Sequence, residues 1–152
     1  AGEYYWFPKA TGRKMNETLG KIHFWGSFVC MNIVFMPMFI QGLGGMNRRL
    51  YDGGAQYAHN ADLLQWNVVI AMAAWTMALF QLAFIYNFFA SIKRGKPADR
   101  NPWQATTLEW TAPSPPGHGN FETPPVVYRS AYEYSVPGAP KDFLMQTEPE
   151  RR

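Results

Sequence analysis

A chain of 152 residues has the length of one ordinary domain, which argues against a multidomain enzyme. Charged residues make up only 16% of the chain and aromatic residues another 16%, and the formal net charge of +3 is too small to indicate a partner nucleic acid. With Cys30 as the single cysteine, the chain has no internal disulfide framework and no cysteine-based zinc site.

The sequence predicts a cytoplasmic loop over residues 1–20, and the first long apolar stretch predicts a transmembrane helix over residues 21–43. At about 1.5 Å per residue, this stretch covers the roughly 30 Å hydrocarbon core. Pro37 lies inside it, and a proline bends a membrane helix rather than ending it. His23 near its start has two interpretations, a metal ligand or proton relay and the commoner hydrogen-bonded interfacial residue. Cys30 is expected to be a packing residue.

The connecting loop over residues 44–62 contains the segment GLGGMNRRLYD, which begins at Gly42. Adjacent Arg48 and Arg49 place two planar cations at the membrane surface, and guanidinium groups suit pairing with carboxylates or phosphates. The alternative is that the two arginines anchor the loop to lipid headgroups. Their spacing alone does not decide between these roles.

A second stretch over residues 63–92 contains no charged residue and predicts another transmembrane helix. Two helices of a soluble bundle would each show an apolar stripe, whereas here apolar residues occur all round. The polar side chains of Asn32, Gln41 and Gln81 need partners across a helix interface, and small residues such as Gly26 and Ala73 allow close packing. We therefore expect the two helices to belong to a larger helical assembly.

Basic residues predict the orientation of the two spans. They are concentrated before the first span and after the second: Lys9, Arg13, Lys14, Lys21, Lys93, Arg94, Lys96 and Arg100. The positive-inside rule then places both termini in the cytoplasm and the loop over residues 44–62 outside.

The segment over residues 93–152 predicts a long, irregular, Pro-rich cytoplasmic tail. Prolines at positions such as Pro113, Pro115 and Pro116 forbid a regular helix. Large apolar residues, among them Trp103 and Trp110, are nevertheless too frequent for a free linker. We expect the tail to lie extended along other protein surfaces.

No catalytic constellation is evident in the chain. The histidines His23, His59 and His118 are scattered over both predicted sides of the membrane, and a zinc or copper centre needs three or four ligands in defined geometry. The carboxylates show no pairing suited to acid–base chemistry. The sequence therefore predicts no catalytic and no metal-binding residues within this chain.

In chain order, the segments WFPKATGRKMNETLGKIHFW, NIVFMP, GLGGMNRRLYD and NPWQATTLEW, followed by PSPP, resemble the C-terminal part of subunit I of the haem-copper terminal oxidases, which include cytochrome c oxidase. Individual pieces are weak, but the ordered set is highly specific and covers nearly the whole chain. The resemblance implies an all-α membrane fold, with a hairpin that matches helices eleven and twelve of that subunit. It also implies either a fragment of subunit I or one product of a split gene.

The resemblance implies that Arg48 and Arg49 bind the haem propionates of the complete oxidase. That enzyme would contain haem a-type groups and copper, whose ligands lie on helices that this sequence does not include. Its partners would be the rest of subunit I, subunits II and III, cytochrome c as electron donor and the lipid bilayer. It would reduce dioxygen to water and pump protons across the bacterial inner membrane, with both termini of this chain in the cytoplasm.

The sequence departs from the family in a few places and leaves alternatives open. Asn47 precedes the arginine pair where many relatives have proline, and Met38 and Phe39 stand where many have Gln-His. The loop between Arg49 and Trp66 is longer than in the mitochondrial form, so no docking residues are transferred. The tail motif NPWQATTLEW also occurs in ubiquinol-oxidising relatives, which leaves the electron donor open. A non-catalytic two-helix accessory protein is a further alternative.

Overall fold

The computed structural model describes residues 1–131, 133 and 144–149. In chain order its elements are helix α1 (Gly2–Thr11), strand β1 (Arg13–Lys14), helix α2 (Glu17–Leu43), a 3-10 helix (Ala58–Leu63), helix α3 (Trp66–Arg94), strand β2 (Lys96–Pro97) and a second 3-10 helix (Leu108–Thr111). These elements form two compact units. One consists of Glu17–Phe88, and the other combines Ala1–Asn16 with Phe89–Arg152.

Helices α2 and α3 confirm the two long apolar helices, and both are long and apolar enough to cross a membrane. Only 22% of the apolar window of α2 and 6% of that of α3 is buried within this chain, whereas the core helix of a soluble protein is mostly buried. Helix α2 begins at Glu17 rather than at residue 21 and continues through Pro37. Helix α3 covers Trp66–Arg94 rather than residues 63–92, because the chain before it is wound as a 3-10 helix. The position of the membrane along these helices stays a prediction.

Within the unit of residues 17–88, α2 and α3 pack antiparallel around small residues. An added Cβ at Gly26 would lie 2.3 Å from the Phe80 ring, so the helices approach closely only because this position has no side chain. Cys30 and Ala73 are buried, and Cys30 is a free thiol that acts as a packing residue. The close approach of the helices expected at Gly26 is seen in the structure.

Polar side chains within this hairpin are paired, though not all in the expected way. Gln81 donates from Nε2 to Ser27 Oγ at 2.8 Å, and its Oε1 lies 3.0 Å from His23 Nε2. His23 is therefore a hydrogen-bonded residue between the helices, as in the commoner of its two interpretations. Asn32 donates to the Phe28 carbonyl of its own helix at 2.8 Å, and a partner for it across a helix interface stays a prediction.

The unit that contains the N-terminal segment holds a helix where a loop was expected. Helix α1 occupies Gly2–Thr11 and ends at Gly12, whose φ of 68° closes the left-handed cap. Pro8 inside α1 argues against a helix when the sequence is considered alone. A two-residue antiparallel ladder then pairs β1 with β2, with Lys14 opposite Lys96. Both features depend on contacts between the N-terminal segment and the segment after α3.

The described part of the tail packs on α1 of the same chain. From the sequence we expected the tail to lie along other protein surfaces and did not predict this contact. Trp110 is 1% exposed and meets the Tyr5 ring edge-on at 5.1 Å between centroids. The Nε1 atom of Trp103 donates to the Tyr5 carbonyl at 2.9 Å. Lys9 Nζ donates to the Ala112 carbonyl at 2.7 Å and lies 5.1 Å from the centre of the Trp110 ring. Residues 132, 134–143 and 150–152 of the predicted tail lie outside the described residues.

Candidate functional site

The segment that carries the arginine pair begins at the C-terminal end of α2. Gly44 donates its N–H to the Ile40 carbonyl at 3.0 Å, and Met46 donates to the Gln41 carbonyl at 3.1 Å. Gly45 has a φ of +87°, a left-handed conformation that glycine adopts without steric cost. The GLGG sequence thus forms a helix C-cap that turns the chain sharply just before the two arginines.

Arg48 and Arg49 are both exposed at this turn. Among the described residues, neither guanidinium group forms an ion pair or a hydrogen bond. Arg49 also has a φ of +60°, and a non-glycine residue in this region costs about 1–3 kcal/mol. Strain of this kind is concentrated at ligand-binding positions. The site therefore presents two cations whose pairing capacity is not used by the described part of the chain.

The far side of the arginine segment is fixed by side-chain hydrogen bonds. Asn67, at the start of α3, donates from Nδ2 to the Gly53 carbonyl at 2.9 Å. Gln41 donates from Nε2 to Asn67 Oδ1 at 2.9 Å and to the Leu63 carbonyl at 3.0 Å. The partner expected for Gln41 across the helix interface is thus Asn67. The apolar character of α3 gave no reason to assign Asn67 a role in the loop.

A second pair of contacts holds the start of the loop. Asn60, which is 6% exposed, donates from Nδ2 to the Gly44 carbonyl at 2.6 Å, and His59 Nε2 lies 3.1 Å from the same oxygen. An added Cβ at Gly44 would approach Asn60 Oδ1 to 2.7 Å, so this contact also requires glycine. His59 therefore has a structural role in the loop, which its isolated position in the sequence did not reveal.

The arginines border an open cavity of about 910 Å³ along one side of α2. Most of its lining is apolar, and most of the polar groups lie at the loop end. The lining residues are Met31, Asn32, Phe35, Met36, Met38, Phe39, Gln41, Gly42, Met46, Asn47, Arg48, Arg49, Leu50, Gly53, Asn67 and Ile70. Ligand sites typically combine a cavity of about 300–1,000 Å³ with a few polar groups that fix orientation. Met38 and Phe39 lie on its apolar wall. The arrangement suits a large apolar ligand that carries carboxylates at one end.

The described residues do not offer a metal centre. No group of three or more His, Cys, Asp or Glu side chains lies close enough together in this part of the chain to hold an ion. His23 is hydrogen-bonded to Gln81, and His59 contacts the loop backbone. The chemistry available at the site is therefore recognition of negative charge by two guanidinium groups beside an apolar wall.

Comparisons with known proteins find a matching family and several relatives. Residues 1–76 match the family described as "Cytochrome C and Quinol oxidase polypeptide I". The chain is 45% identical over 148 residues to the alternative cytochrome c oxidase subunit 1 of Bradyrhizobium diazoefficiens, covering 96% of this chain and 25% of that protein. It is 44% identical over 138 residues to cytochrome c oxidase subunit 1 of Synechocystis sp., covering 90% and 24%. The chain spans about a quarter of the length of the curated relatives it matches.

Proposed function

Since this chain belongs to the family of cytochrome c and quinol oxidase polypeptide I, as a C-terminal part of that subunit, we propose that it serves in a proton-pumping haem-copper oxidase. In the complete enzyme, the haem and copper centres supply the chemistry that reduces dioxygen to water. Within that enzyme, this segment packs the last two helices of the subunit. Its Arg48 and Arg49 bind haem propionates at the outer surface of the membrane.

The observation that supports this role is the combination of the arginine pair with the apolar cavity. Haem is a large apolar ring with carboxylates at one edge, and the cavity offers apolar side chains along α2 with two guanidinium groups at its end. Arginine forms bidentate, charge-assisted hydrogen bonds with carboxylates. Two cations close to a haem stabilise its reduced form, which has gained an electron, and so raise its midpoint potential. The residues present therefore fit the group.

Lipid anchoring is the alternative for the arginine pair, and the structure favours the haem role over it. Headgroup contacts require only exposed cations, and a flexible backbone would be enough to deliver them. Instead, Arg49 is held at a φ of +60°, and the segment is tied to the hairpin through Gly53 and Met46. A fixed backbone is useful when the guanidinium groups must meet a ligand of fixed shape.

For the electron donor, we propose cytochrome c, with ubiquinol as the alternative. The relatives from Bradyrhizobium diazoefficiens, Synechocystis sp. and Thermostichus vulcanus are all named cytochrome c oxidase subunits. The family description covers both donors. Purified oxidase that contains this chain should oxidise reduced cytochrome c. Oxidation of ubiquinol alone would decide for the alternative.

We propose that the remaining partners are the rest of subunit I, oxidase subunits II and III and the lipid bilayer. The exposed apolar surfaces of α2 and α3 support this, because side chains such as Trp75 and Leu79 are 77% and 66% exposed within this chain. Lipid or further helices must cover such surfaces. Both termini are placed in the cytoplasm of a bacterial cell, with the Arg48–Arg49 loop on the outer side of the inner membrane.

The haem role is tested by replacing Arg48 with leucine in the complete oxidase and titrating the low-spin haem. We expect Arg48→Leu to lower its midpoint potential, because a cation that stabilises the reduced form is removed. Arg48→Lys should give a smaller decrease, since lysine keeps the charge but not the bidentate geometry. Arg94→Leu at the other end of α3 is the matched control and should leave the potential unchanged. If Arg48→Leu changes neither the potential nor proton pumping, the assigned role is refuted.

A further inference from the structure

Gln41 is connected to both ends of the segment that carries the arginine pair. Its backbone carbonyl accepts the N–H of Met46 at 3.1 Å, just before the pair. Its side chain donates to Asn67 Oδ1 at 2.9 Å, and Asn67 donates onward to the Gly53 carbonyl at 2.9 Å, just after the pair. The stretch from Met46 to Gly53 is thus closed into a loop whose two ends are both tied to one residue of α2.

The burial of Gln41 shows that these bonds are its main interactions. The residue is 5% exposed although it lies in an apolar helix, and its Nε2 makes a second bond to the Leu63 carbonyl at 3.0 Å. Leaving a buried amide without such partners costs free energy of folding, so the side chain is constrained to this arrangement. The connection passes from α2 to α3 and to the loop within a single chain of hydrogen bonds.

We propose that Gln41 is a positioning residue for Arg48 and Arg49, with Asn67 as the intermediary that fixes the far end of the loop. The proposal rests on the proposed role of the arginines at the haem propionates. Gln41 and Asn67 are both neutral, so replacing either with an apolar residue changes no formal charge. A change in haem potential after such a replacement would therefore have to come from the geometry of the arginines or from a lost amide dipole.

A cavity-lining amide that has no connection to the loop separates these two causes. Asn32 lines the same cavity, and its Nδ2 donates to the Phe28 carbonyl of its own helix. Asn32→Leu removes an amide dipole from the cavity wall while leaving the loop attached. It is the matched control for Gln41→Met and Asn67→Leu.

The experiment has two readouts. The first is hydrogen exchange of the Gly54 and Tyr57 amides in the complete oxidase in detergent, because both amides form hydrogen bonds within the loop. We expect Gln41→Met and Asn67→Leu to speed their exchange by about three- to tenfold, the effect of losing one hydrogen bond. Asn32→Leu should leave the exchange unchanged. Because methionine is close to glutamine in shape, Gln41→Met should preserve the packing of α2.

The second readout is the midpoint potential of the low-spin haem in the complete oxidase. Gln41→Met and Asn67→Leu should lower it in the same direction as Arg48→Leu but by less. In an Arg48→Leu background, Gln41→Met should add less than its separate effect, because both changes act through the same guanidinium groups. If Gln41→Met prevents assembly, Asn67→Leu provides the test, since it leaves the Gln41 side-chain bond to the Leu63 carbonyl in place.

The outcomes separate the two proposals. If Arg48→Leu shifts the potential while Gln41→Met and Asn67→Leu alter neither exchange nor potential, the positioning role is refuted and the haem role stands. If Asn32→Leu shifts the potential as much as Gln41→Met, a local dipole is the cause and the positioning role is again refuted. If the loop loosens but no variant, Arg48→Leu included, changes the potential, the haem role itself fails.

Discussion

Replacing Gly26 with alanine should disrupt the packing of α2 against α3. The added Cβ would lie 2.3 Å from both Cγ and Cδ1 of Phe80. Carbon atoms pack at about 3.5–4.0 Å, so the overlap is about 1.2 Å or more. Since Cγ is the first atom of the ring, it moves away only if the whole side chain changes rotamer or the helices separate.

The loss of stability can be estimated for each of the two responses, a changed Phe80 rotamer or separated helices. Overpacking a close contact costs about 1–3 kcal/mol. If the helices separate instead, the nearby bonds from Gln81 to Ser27 and His23 lengthen, and an interhelical hydrogen bond in a membrane contributes about 0.6 kcal/mol on average. Either response gives a cost of a similar size, so we expect Gly26→Ala to lower the free energy of unfolding of the hairpin by about 1–3 kcal/mol.

The assay is reversible unfolding of this 152-residue chain in mixed micelles with increasing mole fraction of dodecyl sulfate, followed by helix content. Gly42→Ala, in the same helix, is the matched control, because a Cβ there meets nothing within 4 Å. It should be neutral or stabilise α2 by up to about 1 kcal/mol through helix propensity. Phe80→Ala should remove most of the penalty of Gly26→Ala. The reasoning is refuted if Gly26→Ala unfolds like the wild type, or if its cost is the same in the Phe80→Ala background.

Two further predictions concern the packing of the tail on α1. Burial, and after it the nearby Arg100, lowers the pKa of Lys9 from its ordinary value of 10.5, so just below pH 10.5 the unfolded chain binds more protons than the folded one. Resistance of the tail to limited proteolysis should therefore increase with pH up to about 10.5. Lys9→Met should abolish this increase. If the resistance of the variant depends on pH as in the wild type, Lys9 is not its cause. Thr107 Oγ1 is buried without a partner among the described residues. Thr107→Val should therefore stabilise the packing of the tail on α1 by about 1 kcal/mol, measured by thermal unfolding. A loss of stability would show that the hydroxyl has a partner.

The sequence by itself determined the two membrane helices and the candidate site. Hydropathy over more than twenty residues depends on composition alone, so α2 and α3 were predictable to within a few residues. The adjacent Arg48 and Arg49 after a glycine turn were equally evident, because all the residues that define this motif are contiguous. The ordered motifs then indicated the family.

Only the tertiary structure decided how these parts are held together. Helix α1 contains a proline and forms where a loop was expected, in the unit where Trp110 packs on Tyr5 and Lys9, about a hundred residues away. Likewise, Gln41 and Asn67 were merely polar residues in apolar stretches until the hairpin brought them together. The local sequence pattern predicts the structure that a segment prefers. Hydrogen bonds and burial between distant residues depend on which segments come into contact, and this is decided only when the chain folds.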